Sequence, residues 1–376
     1  MKERCCISTC QRFKDYVVNG SSKPYVSLQI GAGAGFDTKL AGKIWNSETT
    51  IEDTAKAYEI VGCDALFLTG LPSFNQIVKE LSWQVKTDFS QTCRMTEQSL
   101  TTPYGQLYWK FHEVPKTGTT PVVYPVNADD EKGFDKIQWY ATQHTKALKY
   151  IGELLRPGIE KIKQYGAVCV QWNLQPFELL GLASVDNLVL MAKIDPERYR
   201  STCDLIRDIN IELLREVFKA GADFVFVGGP GVEMMSPEYY KTYIIPDSQK
   251  IADATHSSGG LIYSHICSPI EPFLTMGFYN EMKLDLFETL SPPPVGNVAD
   301  LAKARKILDS KMCTRGNIGL DVLLTGTKED VETETLRILE ATKGTKHMVA
   351  ASDYLFYDIP VENAKAVVDT VRHYKS

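Results

Sequence analysis

The chain has 376 residues, 44% of them hydrophobic and 23% charged, with a formal net charge of −6. The acidic balance argues against a nucleic-acid or anionic-membrane surface as its main business, and no apolar run reaches the ~18 residues of a membrane span. The opening "MKERCCISTCQRFKDY" has no apolar h-region, so the reading is of a cytoplasmic protein, whose nine cysteines are mostly reduced thiols rather than a disulfide frame.

Along the chain, short runs rich in β-branched and aromatic residues alternate with helix-like segments. "CCISTC" (5–10) holds no CxxC and no nearby His, and reads as free thiols. The first strand-like run, "YVSLQI" (25–30), leads into "GAGAGF", where Phe36 stands in place of the third glycine of a dinucleotide fingerprint. The glycines are therefore read as a tight turn of bare backbone. A second strand, "ALFLTG" (65–70), precedes a stretch from about 85 to 130 with alternating residues and turn signals, taken as a β-rich insertion. Then follow "AVCVQW" (167–172), "DFVFVG" (223–228), "LIYSHI" (261–266), "LDLFETL" (284–290), "MCTRGNI" (312–318) and "HMVAAS" (347–352). The helix over 195–221 opens on Asp-Pro and ends at Gly221. The next, "SPEYYKTYIIPDSQKIADATHSSGG", carries Pro246, which should kink it. Three amphipathic segments complete the pattern. "GGPG" (228–231) lacks the Lys-Ser/Thr of a P-loop, and no GxSxG elbow occurs.

Eight strands alternating with helices predict an α/β fold, a (β/α)₈ TIM barrel spanning residues 1–376 as a single domain, with the insertion after strand two. Active sites in such barrels lie at the C-terminal ends of the strands. His265 and Cys267, two apart at the end of the fifth strand, share one face and can reach one point. An imidazole and a thiolate converging on a point suit Zn²⁺. Glu288 ends the sixth strand and Asp353 follows the eighth, so four potential ligands fall on one rim.

The second half of the chain resembles a known family. The motifs are "GAD" with its strand, "SPEYYKTYIIPDSQKI", "RGNIGLDVLLTGTKEDVETETLRILE" and "DIPVENAKAVVDTVR". They look like the uroporphyrinogen decarboxylase superfamily, and within it the zinc- and corrinoid-dependent methyltransferases. The decarboxylase branch carries an arginine signature that grips porphyrin carboxylates; here the matching place, "LQIGAGAGF", has no arginine, and Gly229 stands where that branch has an Asp. The methyltransferase branch carries His-x-Cys on the fifth strand, a later Cys after the last, and an acidic fourth, exchangeable ligand. The resemblance thus implies His265, Cys267 and Glu288 as ligands, with Asp353 in place of the later Cys. Cys313 is the rival third ligand, at the start of its strand and so at the other end of the barrel.

The resemblance further implies a methyl group passing between a substrate and the cobalt of a corrinoid protein, with zinc as Lewis acid. No DxHxxG cobalamin motif occurs, so the corrinoid must come on a partner protein. A carboxylate ligand makes the site harder, which favours O-demethylation of a substrate such as a methoxylated aromatic. Asn173 and Glu233 are expected as catalytic residues that hydrogen-bond the substrate, with Trp172 and Asn317 lining its pocket. The alternatives are a methylcorrinoid:thiol or pterin methyltransferase, a decarboxylase, and a non-catalytic partner of a corrinoid protein. Homo-oligomerisation is left open.

Overall fold

A computed structural model describes residues 8–45, 47–72, 74–89, 93–113, 122–172 and 174–375. All eight expected barrel strands form. They are β1 (Tyr25–Val26), β2 (Leu66–Gly70), β7 (Ala167–Gln171), β8 (Phe224–Phe226), β9 (Leu261–His265), β10 (Leu286–Thr289), β11 (Cys313–Ile318) and β12 (His347–Ala351). They pair in parallel in the order β1-β12-β11-β10-β9-β8-β7-β2, the order of a TIM barrel read around its wall. Among the described residues no backbone ladder joins β1 to β2, and side chains bridge this seam instead. Ser27 Oγ donates to the Asp64 carbonyl at 2.8 Å, and the buried Tyr58 hydroxyl sits 3.3 Å from the Ile30 carbonyl and 3.1 Å from that of Leu66.

Alternation along the strands sorts side chains into two sets. Val168, Val170, Val225, Ile262 and Phe287 pack outward against the helices, while Ala167, Cys169, Phe224, Tyr263, Leu286, Cys313 and Met348 fill the interior. The lower end is closed by the helix Thr9–Asn19, capped by Ser8, whose Phe13 and Tyr16 join that interior cluster. Asp223, just before β8, anchors this plug: it accepts the Val168 amide at 3.0 Å and the Cys10 thiol at 3.3 Å, and pairs with Lys14 at 2.9 Å. Burial and that carboxylate push the Cys10 thiol up to about 12. Of the opening cysteines, expected as free thiols, Cys10 is a free, buried thiol, and Cys5 and Cys6 lie outside the described residues.

The insertion between β2 and β7 is an antiparallel sheet of β3 (Trp83–Phe89), β4 (Arg94–Thr102), β5 (Gly105–Glu113) and β6 (Val122–Val123). Pro246 sits in the first turn of the helix Ile245–Ser257, directly after a π-helical turn over Tyr240–Ile244. The wider turn accommodates the missing amide donor, so the expected kink takes the form of a local change of helix type.

Candidate metal centre

Strand register brings the site together. His265 on β9 lies opposite Glu288 on β10, which lies opposite Arg315 on β11. All three point inward and form one polar layer near the upper, C-terminal end of the barrel. Cys267 follows two residues beyond β9, and Asp353 two residues beyond β12. One donor atom from each of His265, Cys267 and Asp353 lies within 4.8 Å of the others. His265 Nε2 is 3.5 Å from Asp353 Oδ1. Two ligand atoms on a tetrahedral zinc with bonds of about 2.1 Å sit about 3.4 Å apart. The nitrogen, sulfur and oxygen donors suit a zinc ion in chemistry, and the His265–Asp353 spacing is that of two ligands on one tetrahedral ion.

Glu288 has a different place from the one expected. It is wholly buried, and its carboxylate accepts from four donors: His265 Nδ1 at 2.7 Å, Arg315 at 3.0 Å, Gln29 Nε2 at 3.4 Å and the Tyr263 hydroxyl. It is not among the three clustered donor groups. It fixes the ring plane of His265 through Nδ1 and turns Nε2 toward Asp353 and the donor cluster, the part a carboxylate plays behind a histidine that binds a metal. Burial alone would raise the Glu288 pKa; Arg315, His265 and Tyr263 together outweigh it and hold the carboxyl below its ordinary value. Burial works against a charged His265 too, but hydrogen bonds to Cys267 and Glu288 and the charges of Glu288 and Asp353 raise it to about 10. Burial raises the Asp353 carboxyl despite the nearby imidazolium.

Arg315 is 1% exposed and spends all three nitrogens internally, on Glu288, the Ser27 carbonyl at 2.8 Å and the Leu28 carbonyl at 2.9 Å. It thereby also ties β1 to the sheet beside the open seam. Tyr354 stacks on the His265 ring at 5.5 Å between centroids. Sequence reasoning passed over Tyr263, Arg315, Gln29 and Tyr354. For Tyr263 the signal was present: it is two residues before His265 and so shares its face.

The other expected residues divide. Cys313 is buried at the start of β11, with its thiol pushed by burial up to about 12, and is outside the cluster. Trp172 lines a cavity of about 360 Å³ at the ends of β2 and β7, with Gly70, Gln171 and His144, and donates to Asn210 at 3.2 Å. Asn317 does not fit the substrate-facing part given to it. It is 1% exposed and its amide donates to the Leu290 carbonyl at 2.9 Å, a role in joining strand ends. Glu233 is exposed beside a groove of about 650 Å³ lined by Met234, Met235 and Tyr239. Its carboxylate packs over the bare α-carbon of Gly231, next to Ser268. Asn173 lies outside the described residues. The same loop places Gln175, 2% exposed, against Gly228 with both amide atoms unpartnered. Nearby Glu178 is raised by burial to about 7.

Residues 113–374 match the family model described as Uroporphyrinogen decarboxylase (URO-D). A uroporphyrinogen decarboxylase of Syntrophotalea carbinolica is 30% identical over 179 residues, 47% of this chain and 49% of that protein. A methylated-thiol–coenzyme M methyltransferase of Methanosarcina mazei is 24% identical over 198 residues, 51% of this chain and 50% of that protein. The chain thus spans about half the length of the curated relatives it matches. Among solved structures, a methyltransferase from Methanosarcina mazei superposes with a TM-score of 0.63 at 16% identity, covering 97% of this chain and 98% of that one. The likeness extends the shared fold over the first half of the chain. No helix among the described residues is long and apolar enough to cross a membrane.

Proposed function

The chain belongs to the uroporphyrinogen decarboxylase (URO-D) family, and from that footing we propose that it is a zinc-dependent methyltransferase. In this reading it moves a methyl group from an O-methyl substrate, such as a methoxylated aromatic, to the cobalt of a separate corrinoid protein. The observation that carries it is the convergence of His265, Cys267 and Asp353 at the barrel mouth. Zinc held there supplies Lewis acidity to the substrate oxygen, whose alkoxide or phenolate leaves poorly without help.

The chain's own residues do the rest. Glu288 orients the imidazole, and Arg315 and Tyr263 hold Glu288. Tyr354 covers one face of the His265 ring and narrows access from that side. The cavity beside Trp172 offers an aromatic wall for a ring substrate. A carboxylate in the donor set makes the centre harder than one with two thiolates, which supports an oxygen over a sulfur substrate. Decarboxylation of a polyacid is disfavoured because Arg315 is consumed internally and "LQIGAGAGF" brings no arginine to the mouth. The thiol-directed name of the Methanosarcina mazei relative makes methyl transfer to or from a thiol the runner-up.

The test is spectroscopic. The zinc-loaded protein is mixed with a Co(I) corrinoid protein and, in turn, methoxyaromatics, methanol, methylamines and methylthiols. Formation of methyl-Co(III) is followed by its visible spectrum, with uroporphyrinogen assayed in parallel. Methyl-Co(III) from an O-methyl compound, lost in His265→Ala, is expected. Turnover of a methylthiol alone would select the runner-up, and release of carbon dioxide from uroporphyrinogen would replace both.

A further inference from the structure

The face opposite the metal cluster carries a second feature. Arg305, in the last turn of the helix Leu301–Ile307, is 4% exposed, yet no carboxylate among the described residues pairs with it. Its hydrogen bonding amounts to a 3.4 Å contact from one terminal nitrogen to the Met312 carbonyl, and its Nε and other terminal nitrogen have no partner. The acid nearest in charge, Asp309, instead accepts the Lys311 amide at 2.8 Å. A buried, uncompensated guanidinium is costly and calls for an anion.

Arg305 lies in the wall of a cavity of about 410 Å³, with its unpartnered nitrogens just beneath the cavity surface. Lys346 stands in the same wall, its ammonium held at 3.2 and 3.0 Å by the last carbonyls of the plug helix, those of Val17 and Val18. Ser21, Ser22, Ser310 and Thr345 add hydroxyl and backbone groups, and no Asp or Glu lines the cavity. A small adjoining crevice shares Ser21, Ser22 and Thr345 and brings Lys23 and Lys343 to the rim. Two inner cations, two outer ones and several hydroxyls, without a carboxylate, match a tetrahedral oxyanion. Lys346 precedes β12 and Asp353 follows it, so the cavity lies roughly 20 Å from the metal cluster along that strand.

We propose that this cavity, at the N-terminal end of the barrel, is a binding site for a phosphate group, free or as a small phosphate monoester, gripped by Arg305 and Lys346. The proposal uses none of the chemistry assigned to the mouth. The volume exceeds that of a single phosphate and leaves room for a small organic portion.

Isothermal titration of the full chain with inorganic phosphate and with glycerol phosphate, at constant ionic strength, tests it. Saturable binding of either is expected, and the tighter of the two identifies the source. Arg305→Met should weaken that binding by about tenfold or more, the usual worth of a hydrogen bond to a charged group, while zinc affinity stays unchanged. Should Arg305→Met fail to fold, Lys346→Gln reads the same loss. Absence of saturable binding for both ligands would overturn the proposal, as would equal phosphate affinity in the wild type and both variants.

Discussion

Replacing Glu288 by Gln probes the polar layer most directly. The carboxylate receives four donors, from His265, Arg315, Gln29 and Tyr263. An amide in its place keeps one acceptor oxygen but turns its NH₂ against at least one donor. Arg315, 1% exposed, loses the one carboxylate that pairs with it among the described residues. Removing one partner of a buried ion pair costs about 3–5 kcal/mol, because the remaining charge stays in a medium that cannot solvate it. At about 2.1 cal/mol/K per residue, 376 residues give an unfolding entropy of about 0.8 kcal/mol/K, so the melting temperature should fall by about 4–6 °C.

The same change should weaken zinc by about 10–100-fold, because His265 no longer has an anionic partner on Nδ1 to set its tautomer and raise its basicity. Calorimetric melting and a competitive zinc titration measure the two effects. The double variant Glu288→Gln, Arg315→Met should regain much of the stability, since the orphaned charge is gone, without regaining zinc affinity. A single variant that melts within about 1 °C of wild type and binds zinc unchanged would refute the orienting role of Glu288.

Other consequences can be checked separately. In the metal-free protein His265 holds its proton up to about pH 10, and it must lose that proton to ligate, so zinc affinity should rise by about tenfold per pH unit between pH 7 and 9 from this group alone; a flat profile would remove His265 from the ligand set. The same raised pKa stabilises the metal-free fold fully below about pH 6.5, and that stabilisation should disappear as pH rises through about 10 in melts run with chelator. Asp353→Cys should keep zinc but lower methyl transfer from O-methyl compounds relative to thiols, and Asp353→Ala should lose both metal and activity; full zinc content in the alanine variant would end its assignment as a ligand. Asp223→Ala leaves the buried Val168 amide unsatisfied and the part-exposed Lys14 without its partner, and should destabilise by about 1–3 kcal/mol with zinc affinity intact, since the plug helix lies at the other end of the barrel; an unchanged melt would deny the plug its anchor.

The strands were legible because all but β1 and β2 are buried almost throughout on both sides and are bounded by turn residues, so even three-residue β8 stood out inside the longer apolar run "DFVFVG". The seam between β1 and β2 was not, because it depends on side chains, Ser27 and Tyr58, that look unremarkable in a strand and a helix. The site shows the same division. His265 and Cys267 reveal themselves by a spacing of two, a local property of one strand. What Glu288 does depends on the stagger between three strands, and stagger sets which inward residues share a layer. Sequence placed Glu288 at the correct end of the correct strand and could go no further, because a carboxylate one layer deeper meets histidine and arginine before it meets a metal. Asn317 misled for a related reason: at the end of β11 it occupies the rim, but the neighbouring strand's Leu290 carbonyl reaches its amide first. A residue at a strand end is free to bind a ligand only where the adjoining strand leaves its polar atoms unclaimed, and at this mouth Cys267 and Asp353, both beyond the last ladder hydrogen bond, meet that condition and are the two that join His265 in the proposed metal site.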